Sequence, residues 1–294
     1  MTRILLFGKN GQLGWEFQRT LPLLGELTKV DADELDLTDE NGLSALIRAT
    51  APQIIVNASA YTAVDKAETE ADLAHAINAR APQIMSQEAL RLNALLVHFS
   101  TDYVFDGAKS AAYTENDTPN PLNAYGRGKL AGEQAIQRVG GHYFIFRTSW
   151  VYSLRRDSFV TKVLQWAAKN PELRIVDDQL GSPTWARMLS QASTMALGMA
   201  QARGSGWLDE VSGLYHLAGA GGATRFEWAQ AILAESTLDV RSTRIIPAKT
   251  DEFPTPARRP LATPLDCARF ERVFGLKVPG WRETLKLAMD SSNG

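Results

Sequence analysis

Ile4-Leu-Leu-Phe7, followed at once by Gly8-Lys-Asn-Gly11-Gln-Leu-Gly14, is the stretch that most limits what this chain can become. A compact apolar run ended by glycine reads as a strand buried on both faces of a parallel sheet. The residues after the third glycine suit a helix to about Leu24. Glycines at such a junction permit a sharp turn and let the backbone approach a ligand closely. The new helix offers free N–H groups and a positive dipole end to a pyrophosphate. The spacing G-x-x-G-x-x-G would also suit a plain strand-to-helix connection, so the rest of the chain has to decide.

Further along, apolar runs ending at Val30, at Ile54-Ile-Val56, at residues 95–99 and at Phe144-Ile-Phe146 read as strands. Helices are expected over residues 40–50, capped by Thr38 or Asp39, over 66–79 and 82–92, and through Tyr125. This alternation predicts an α/β fold, with a Rossmann-type doubly wound parallel sheet in residues 1–153. Past Tyr152 the rhythm loosens. Helices are expected at 158–170, 188–202, 226–235 (capped by Thr224) and 282–289, and short strands at 174–176, 214–217 and 244–246. Residues 154–294 read mainly as a smaller C-terminal α/β substrate domain, with one or two elements free to return to the first sheet. With no flexible linker, the two parts should pack directly and form a cleft.

Charge and cysteine content narrow the function. With 31 basic and 33 acidic residues, no overall field attracts nucleic acid or an anionic membrane. No apolar run is long enough to span a bilayer, and Ile4 to Phe7 is too short for a signal peptide. Cys267 stands alone, which excludes an intrachain disulfide and the usual thiolate metal sites. His75, His98, His142 and His216 make no pair at i, i+3 or i+4, so no metal is expected and they read as ordinary surface or core residues. The expectation is a cytoplasmic protein with a small-molecule partner.

The candidate chemistry centres on Tyr125-Gly-Arg-Gly-Lys129. Residues i and i+4 share a helix face, and a lysine there favours the phenolate, which would make the phenol a usable acid or base. Gly126, Gly128 and Gly132 each cost about 1 kcal/mol in a helix interior, so close approach by a ligand or another backbone must account for them. Asp31 comes about twenty residues after the glycine turn, where an acid accepts ribose hydroxyls and repels a 2′-phosphate unless nearby cations reverse the preference. Small residues from Asn57 to Ala60 and polar ones from Ser100 to Gly107 stand at strand ends, where open α/β sheets place ligands. Trp150, at the exit of another strand, is either core or a surface on which a sugar stacks.

Together the glycine turn, the acid after the second strand and Y-x-x-x-K resemble the extended short-chain dehydrogenase/reductase family. Ser-Thr-Asp-Tyr-Val-Phe-Asp-Gly at 100–107, Arg-Thr-Ser-Trp-Val-Tyr at 147–152, Asp-Asp-Gln-x-Gly-x-Pro-Thr at 177–184 and Arg259-Pro260 extend that resemblance along nearly the whole chain. It implies NADPH or NADH as cofactor and reduction of the 4-keto group of a dTDP-linked deoxy sugar. Gly8, Gly11, Gln12, Leu13 and Gly14 would bind the cofactor, with Gly11, Gln12 and Leu13 on its pyrophosphate. Asp31 would hold the ribose, Asp36 and Leu37 the adenine side, and Ala60, Tyr61 and Thr62 the cofactor at the third strand. Tyr125 would donate the proton, Lys129 would hold the nicotinamide ribose, and Thr101 the substrate carbonyl oxygen. Asp102 and Trp150 would place the sugar, and Arg259, with Arg258 as a second candidate, would meet the diphosphate. An epimerase or dehydratase of the same family, or a non-catalytic regulatory subunit with this fold, would carry a similar pattern. Some relatives dimerise through magnesium held by acids. The stretch Trp185-Ala-Arg187-Met-Leu-Ser-Gln191 lacks acids and the tail ends Asp290-Ser-Ser-Asn-Gly294, so a monomer or a metal-free homodimer is expected.

Overall fold

The computed structural model describes residues 1–238 and 243–290; residues 239–242 and the tail 291–294 lie outside the described residues. The first half runs β1 (Arg3–Phe7), α1 (Gln12–Thr20), β2 (Glu26–Val30), α2 (Glu40–Thr50), β3 (Ile54–Asn57), α3 (Ala71–His75), α4 (Ala81–Leu92), β4 (Leu95–Thr101), α5 (Ala124–Val139) and β5 (Tyr143–Thr148). The second half continues β6 (Val151–Tyr152), α6 (Phe159–Ala167), β7 (Glu172–Val176), β8 (Leu180–Gly181), β9 (Thr184–Trp185), α7 (Ala186–Arg203), α8 (Ser205–Val211) and β10 (Gly213–His216). It closes with β11 (Ala223–Thr224), α9 (Arg225–Glu235), β12 (Arg244–Ala248), α10 (Ala268–Phe274) and α11 (Trp281–Asp290).

Six parallel strands form the main sheet in the order β2-β1-β3-β4-β5-β10, the Rossmann-type arrangement the sequence implied. Strand order reverses between β1 and β3, and the carboxyl ends there open the crevice that such sheets use for ligands. Alternation along β1 shows why the sheet is covered on both faces. Ile4 and Leu6 join a core with Leu13 and Phe17 of α1 and Leu189 and Leu197 of α7. Leu5 and Phe7 join a second core with Leu43 and Ile47 of α2 and Met85 of α4.

One local expectation fails. Instead of separate helices over 66–79 and 82–92, a 3₁₀ turn at Lys66–Glu68 precedes a single helical run from α3 into α4, joined by a wide π turn at Ala76–Arg80. Pro82 lacks the N–H that a regular helix would aim at the carbonyl of Asn78, and the wide turn absorbs that mismatch. The carbonyl thus spared faces α5, where a Cβ on Gly132 would lie 2.2 Å from it. A Cβ on Gly126 would lie 2.2 Å from the carbonyl of Tyr103. These two glycines serve backbone packing, which brings α5 hard against the turn that follows β4 and against the π turn.

The remaining strands make short pairs, β7 with β12, β8 with β11 and β6 with β9, beside α6, α9 and α11. Thr224 caps α9 by accepting the Glu227 N–H at 3.0 Å, and the Glu227 side chain returns the bond. Two elements of the second half lie on the main sheet: β10 extends it beside β5, and α7 packs on α1, with Thr20 bonded to Ser190 at 2.9 Å and to Thr194 at 2.8 Å. Among the described residues, no helix is long and apolar enough to cross a membrane.

Candidate active site

A cavity of about 940 Å³ lies over the carboxyl ends of β1, β3, β4 and β5. At one end the glycine turn forms its wall through Gly8, Gly11, Gln12 and Leu13. Gly8 has φ +82, and a Cβ there would come within 2.8 Å of the Ser59 nitrogen, so no other residue fits without moving β3. Gly14 stands behind the wall and closes the turn; its Cβ would lie 1.9 Å from the Gly8 carbonyl oxygen. The first turn of α1 begins at Gly11 with no side-chain cap, leaving its N–H groups to an anion. Three buried oxygens of the cavity lining have no protein partner: Gln12 Oε1 at the glycine turn, and Ser100 Oγ and Thr148 Oγ1 at the ends of β4 and β5. Unpartnered polar atoms along such a cavity fit a dinucleotide, whose hydroxyls and carboxamide need such contacts.

Asp31 stays on the wall while its Oδ2 accepts the Asn10 N–H at 2.7 Å and its Oδ1 the Ala32 N–H at 2.8 Å. Asp36 accepts the Thr38 N–H at 2.8 Å, which holds its carboxyl below the usual range, and Leu37 lies beside it on the wall. Ala60 and Thr62 line the cavity, whereas the Tyr61 side chain turns away and donates to Glu70 at 2.5 Å. The amide of Asn78, from the wide turn, clamps the Tyr61 backbone at both N–H and C=O.

At the other end stand Thr101, Asp102, Tyr125, Lys129 and Trp150. Asp102 accepts from Thr101 at 3.1 Å, Ser149 at 3.0 Å and Thr263 at 2.6 Å. Burial raises its carboxyl, and these three hydroxyls pull it back. Burial also pushes the Tyr125 phenol well up, opposed by its hydrogen bond with Thr101. The sequence had Lys129 lowering that phenol; here burial outweighs any such effect, because the lysine Nζ is directed at His98 Nε2, 3.2 Å away. Burial lowers Lys129 itself to about 8, with the Glu133 carboxylate opposing. Keeping the phenol protonated suits a proton donor.

Trp150 is packed among other side chains and also reaches the cavity. Its backbone takes φ +44, its ring stacks on Trp228 at 5.6 Å, the Arg225 guanidinium lies 3.6 Å over it, and it still forms part of the cavity wall. Arg259 is elsewhere. It pairs with Asp65 at 2.8 Å and, with Arg258, lines a separate cavity of about 730 Å³. Sequence reasoning places Ser100 only among several polar groups at a strand end and passes over His98, the Thr148 hydroxyl, and Arg155 and Arg156, which reach the first cavity from the second half. Ser100 and Thr148 carried a signal, since each stands at the carboxyl end of a buried parallel strand. Among the described residues, no three of His, Cys, Asp or Glu group to hold a metal ion.

A glycine turn with an uncapped helix N-terminus at one end of a cavity and a phenol kept protonated at the other suit a reaction in which a nicotinamide brings hydride and the protein brings the proton. The class so defined is an NAD(P)H-dependent oxidoreductase with the extended short-chain dehydrogenase/reductase fold. Comparison with known proteins makes this particular. The family described as RmlD substrate binding domain matches residues 1–293. A dTDP-4-dehydrorhamnose reductase from Burkholderia thailandensis is 39% identical over 98% of this chain and 98% of its own. Solved dTDP-4-dehydrorhamnose reductases from Clostridium acetobutylicum (33% identity) and, in complex with NADP, from Bacillus anthracis (32%) each superpose with a TM-score of 0.90 over 99% of this chain and 100% of theirs. The chain belongs to the dTDP-4-dehydrorhamnose reductase family.

Proposed function

We infer that this protein reduces the 4-keto group of dTDP-4-dehydrorhamnose (dTDP-4-dehydro-6-deoxy-L-mannose) to give dTDP-L-rhamnose, with NADPH or NADH as the hydride source. The observation that supports this most is full-length kinship to reductases of that name, combined with Thr101, Tyr125 and Lys129 on one cavity wall. When bound, the cofactor supplies hydride. What remains for the chain is to hold both partners and deliver one proton. Gly11, Gln12 and the free N–H groups of α1 would take the diphosphate, with Asp31 near the adenosine ribose and Asp36 and Leu37 near the adenine. Tyr125 gives its proton to the C4 oxygen as negative charge develops there, and the Thr101 hydroxyl, turned from Asp102 Oδ1 toward the substrate, donates to that oxygen.

Asp102, held by three hydroxyls, orients Thr101, and Trp150 places the sugar. The diphosphate of the sugar nucleotide would extend toward the second half of the chain, residues 154–294. There Arg225, which lies on Trp150, is nearer the reacting end than Arg259 with its Asp65 partner. A cytoplasmic location and a monomer or metal-free homodimer belong to the same reading, supported by a lone buried cysteine.

The purified protein should oxidise NADPH or NADH only when dTDP-4-dehydrorhamnose is added. Tyr125→Phe should lower turnover by about 10²–10⁴-fold while leaving the cofactor Kd unchanged. A Phe variant that turns over at the wild-type rate would remove Tyr125 from its role.

A further inference from the structure

Behind the catalytic lysine lies a second layer of polar groups. Lys129 is 1% exposed, and the carboxylate nearest on its own helix, Glu133, is taken by Arg147. The Nζ contact is with a buried imidazole instead, His98 Nε2 at 3.2 Å, and the other ring nitrogen of His98 lies 3.0 Å from the amide nitrogen of Asn57. Both His98 and Asn57 are 1% exposed.

A proton inventory fixes the direction of this chain of contacts. Asn57 Oδ1 accepts the Ser59 backbone N–H at 3.1 Å and the Ser59 hydroxyl at 2.6 Å. A backbone N–H can only donate, so the amide oxygen must face Ser59 and the amide NH₂ must face His98. Nδ1 of His98 is therefore an acceptor. A neutral imidazole has one N–H, which then sits on Nε2 and points at Lys129. An ammonium offers no lone pair to receive it, whereas an amine does. A second proton on the ring would set two buried cations 3.2 Å apart, so His98 stays neutral.

We propose that His98, oriented by Asn57, is a positioning residue for the reduction: its Nε2–H faces Lys129 Nζ and can be received only by the amine, so the contact stabilises the amine form of that lysine beside the cavity. The inference rests on Tyr125 being the proton donor. Once the phenol has protonated the substrate oxygen, the Lys129 ammonium can return a proton to the phenolate, and the amine left behind is the form His98 receives. Solvent then restores the proton to Lys129, so each turnover consumes one hydride and one solvent proton. A lysine matched by a carboxylate would hold its proton too firmly for this. The groups acting here are these: burial opposes the Lys129 ammonium and Glu133 on α5 favours it, the charge on Lys129 disfavours a second proton on His98 of β4, and Asp102 and Tyr103 act on Tyr125. The lowering of Lys129 to about 8 agrees in direction.

His216 provides an internal reference. Its Nδ1 lies 3.0 Å from the carbonyl oxygen of Tyr113, which can only accept, so its proton is on Nδ1. Two buried histidines should therefore show opposite tautomers. In ¹⁵N-histidine NMR of the whole protein, the resonance removed by His98→Gln should be the Nε2–H tautomer, and that removed by His216→Gln the Nδ1–H tautomer. Finding His98 protonated on Nδ1, or on both nitrogens, would overturn the proposal, and this measurement needs no turnover. In activity, the amide oxygen of His98→Gln can accept from an ammonium, so the alkaline limb of the kcat profile should move up by about one pH unit. A limb that stays in place while stability falls would mean His98 is only structural. A protein inert toward dTDP-4-dehydrorhamnose would instead break the functional reading and leave the tautomer result standing. If the Gln variant does not fold, the remaining histidine assignments identify His98 by difference and the tautomer alone decides.

Discussion

Lys129 and Arg147 are both cations buried beside β4, 1% and 3% exposed, yet the protein treats them in opposite ways. Arg147 on β5 is gripped in a fork by Glu133, Nε to Oε1 at 2.9 Å and Nη2 to Oε2 at 2.6 Å, with its guanidinium 5.0 Å over the Phe105 ring. Lys129, one helical turn before Glu133, has an imidazole as its polar contact and opens onto the cavity. The matched charge serves the fold. The unmatched one at a cavity wall has its proton loosened by burial, which is what a proton-transfer role would use.

The largest effect that could break this contrast is on stability. Arg147→Met leaves the Glu133 carboxylate buried alone and should cost about 3–5 kcal/mol in chemical denaturation. Lys129→Met removes a cation that burial disfavours, so it should stabilise the protein near pH 7 by about 1–3 kcal/mol while abolishing turnover. Its pH dependence carries a definite sign. Lys129 is lowered to about 8 from its ordinary 10.5. Below 8 both folded and unfolded chains hold the proton and the burial penalty is present in full. Between 8 and 10.5 the unfolded chain alone keeps it, so wild-type stability rises with pH relative to the Met variant and the gain from Lys129→Met fades. Equal gains at pH 7 and pH 10 would mean that Lys129 does not titrate in this window.

Much of the catalytic end was legible because it depends on residues close in sequence. The Gly8–Gly14 turn, the capping of α2 by Asp39 and the shared face of Tyr125 and Lys129 are all set within about one or two helical turns. Thr101 and Asp102 were legible from topology, since they end a buried parallel strand. What stayed hidden rests on contacts far apart along the chain. Lys129 and His98 are 31 residues apart, and Arg259 meets Asp65 across 194. No spacing rule could assign His98 to a lysine or divert Arg259 from the catalytic cavity. The continuous helix through Pro82 was missed for a related reason: a π turn depends on what the freed Asn78 carbonyl packs against, and that is Gly132 of a later helix.

The finest test separates the two cations while keeping both charges. Glu133 is their link, because its carboxylate binds Arg147 and also favours the charged form of Lys129. Arg147→Lys preserves the charge on that carboxylate but replaces a two-bond fork with a single point contact on a flexible stem. Stability should fall by about 1–2 kcal/mol, and the alkaline limb of the rate profile should stay where it is, because the field of Glu133 at Lys129 is unchanged. If the limb moves with Arg147→Lys, the fold-holding pair and the titrating lysine share one network, and the division between a structural and a chemical cation does not hold.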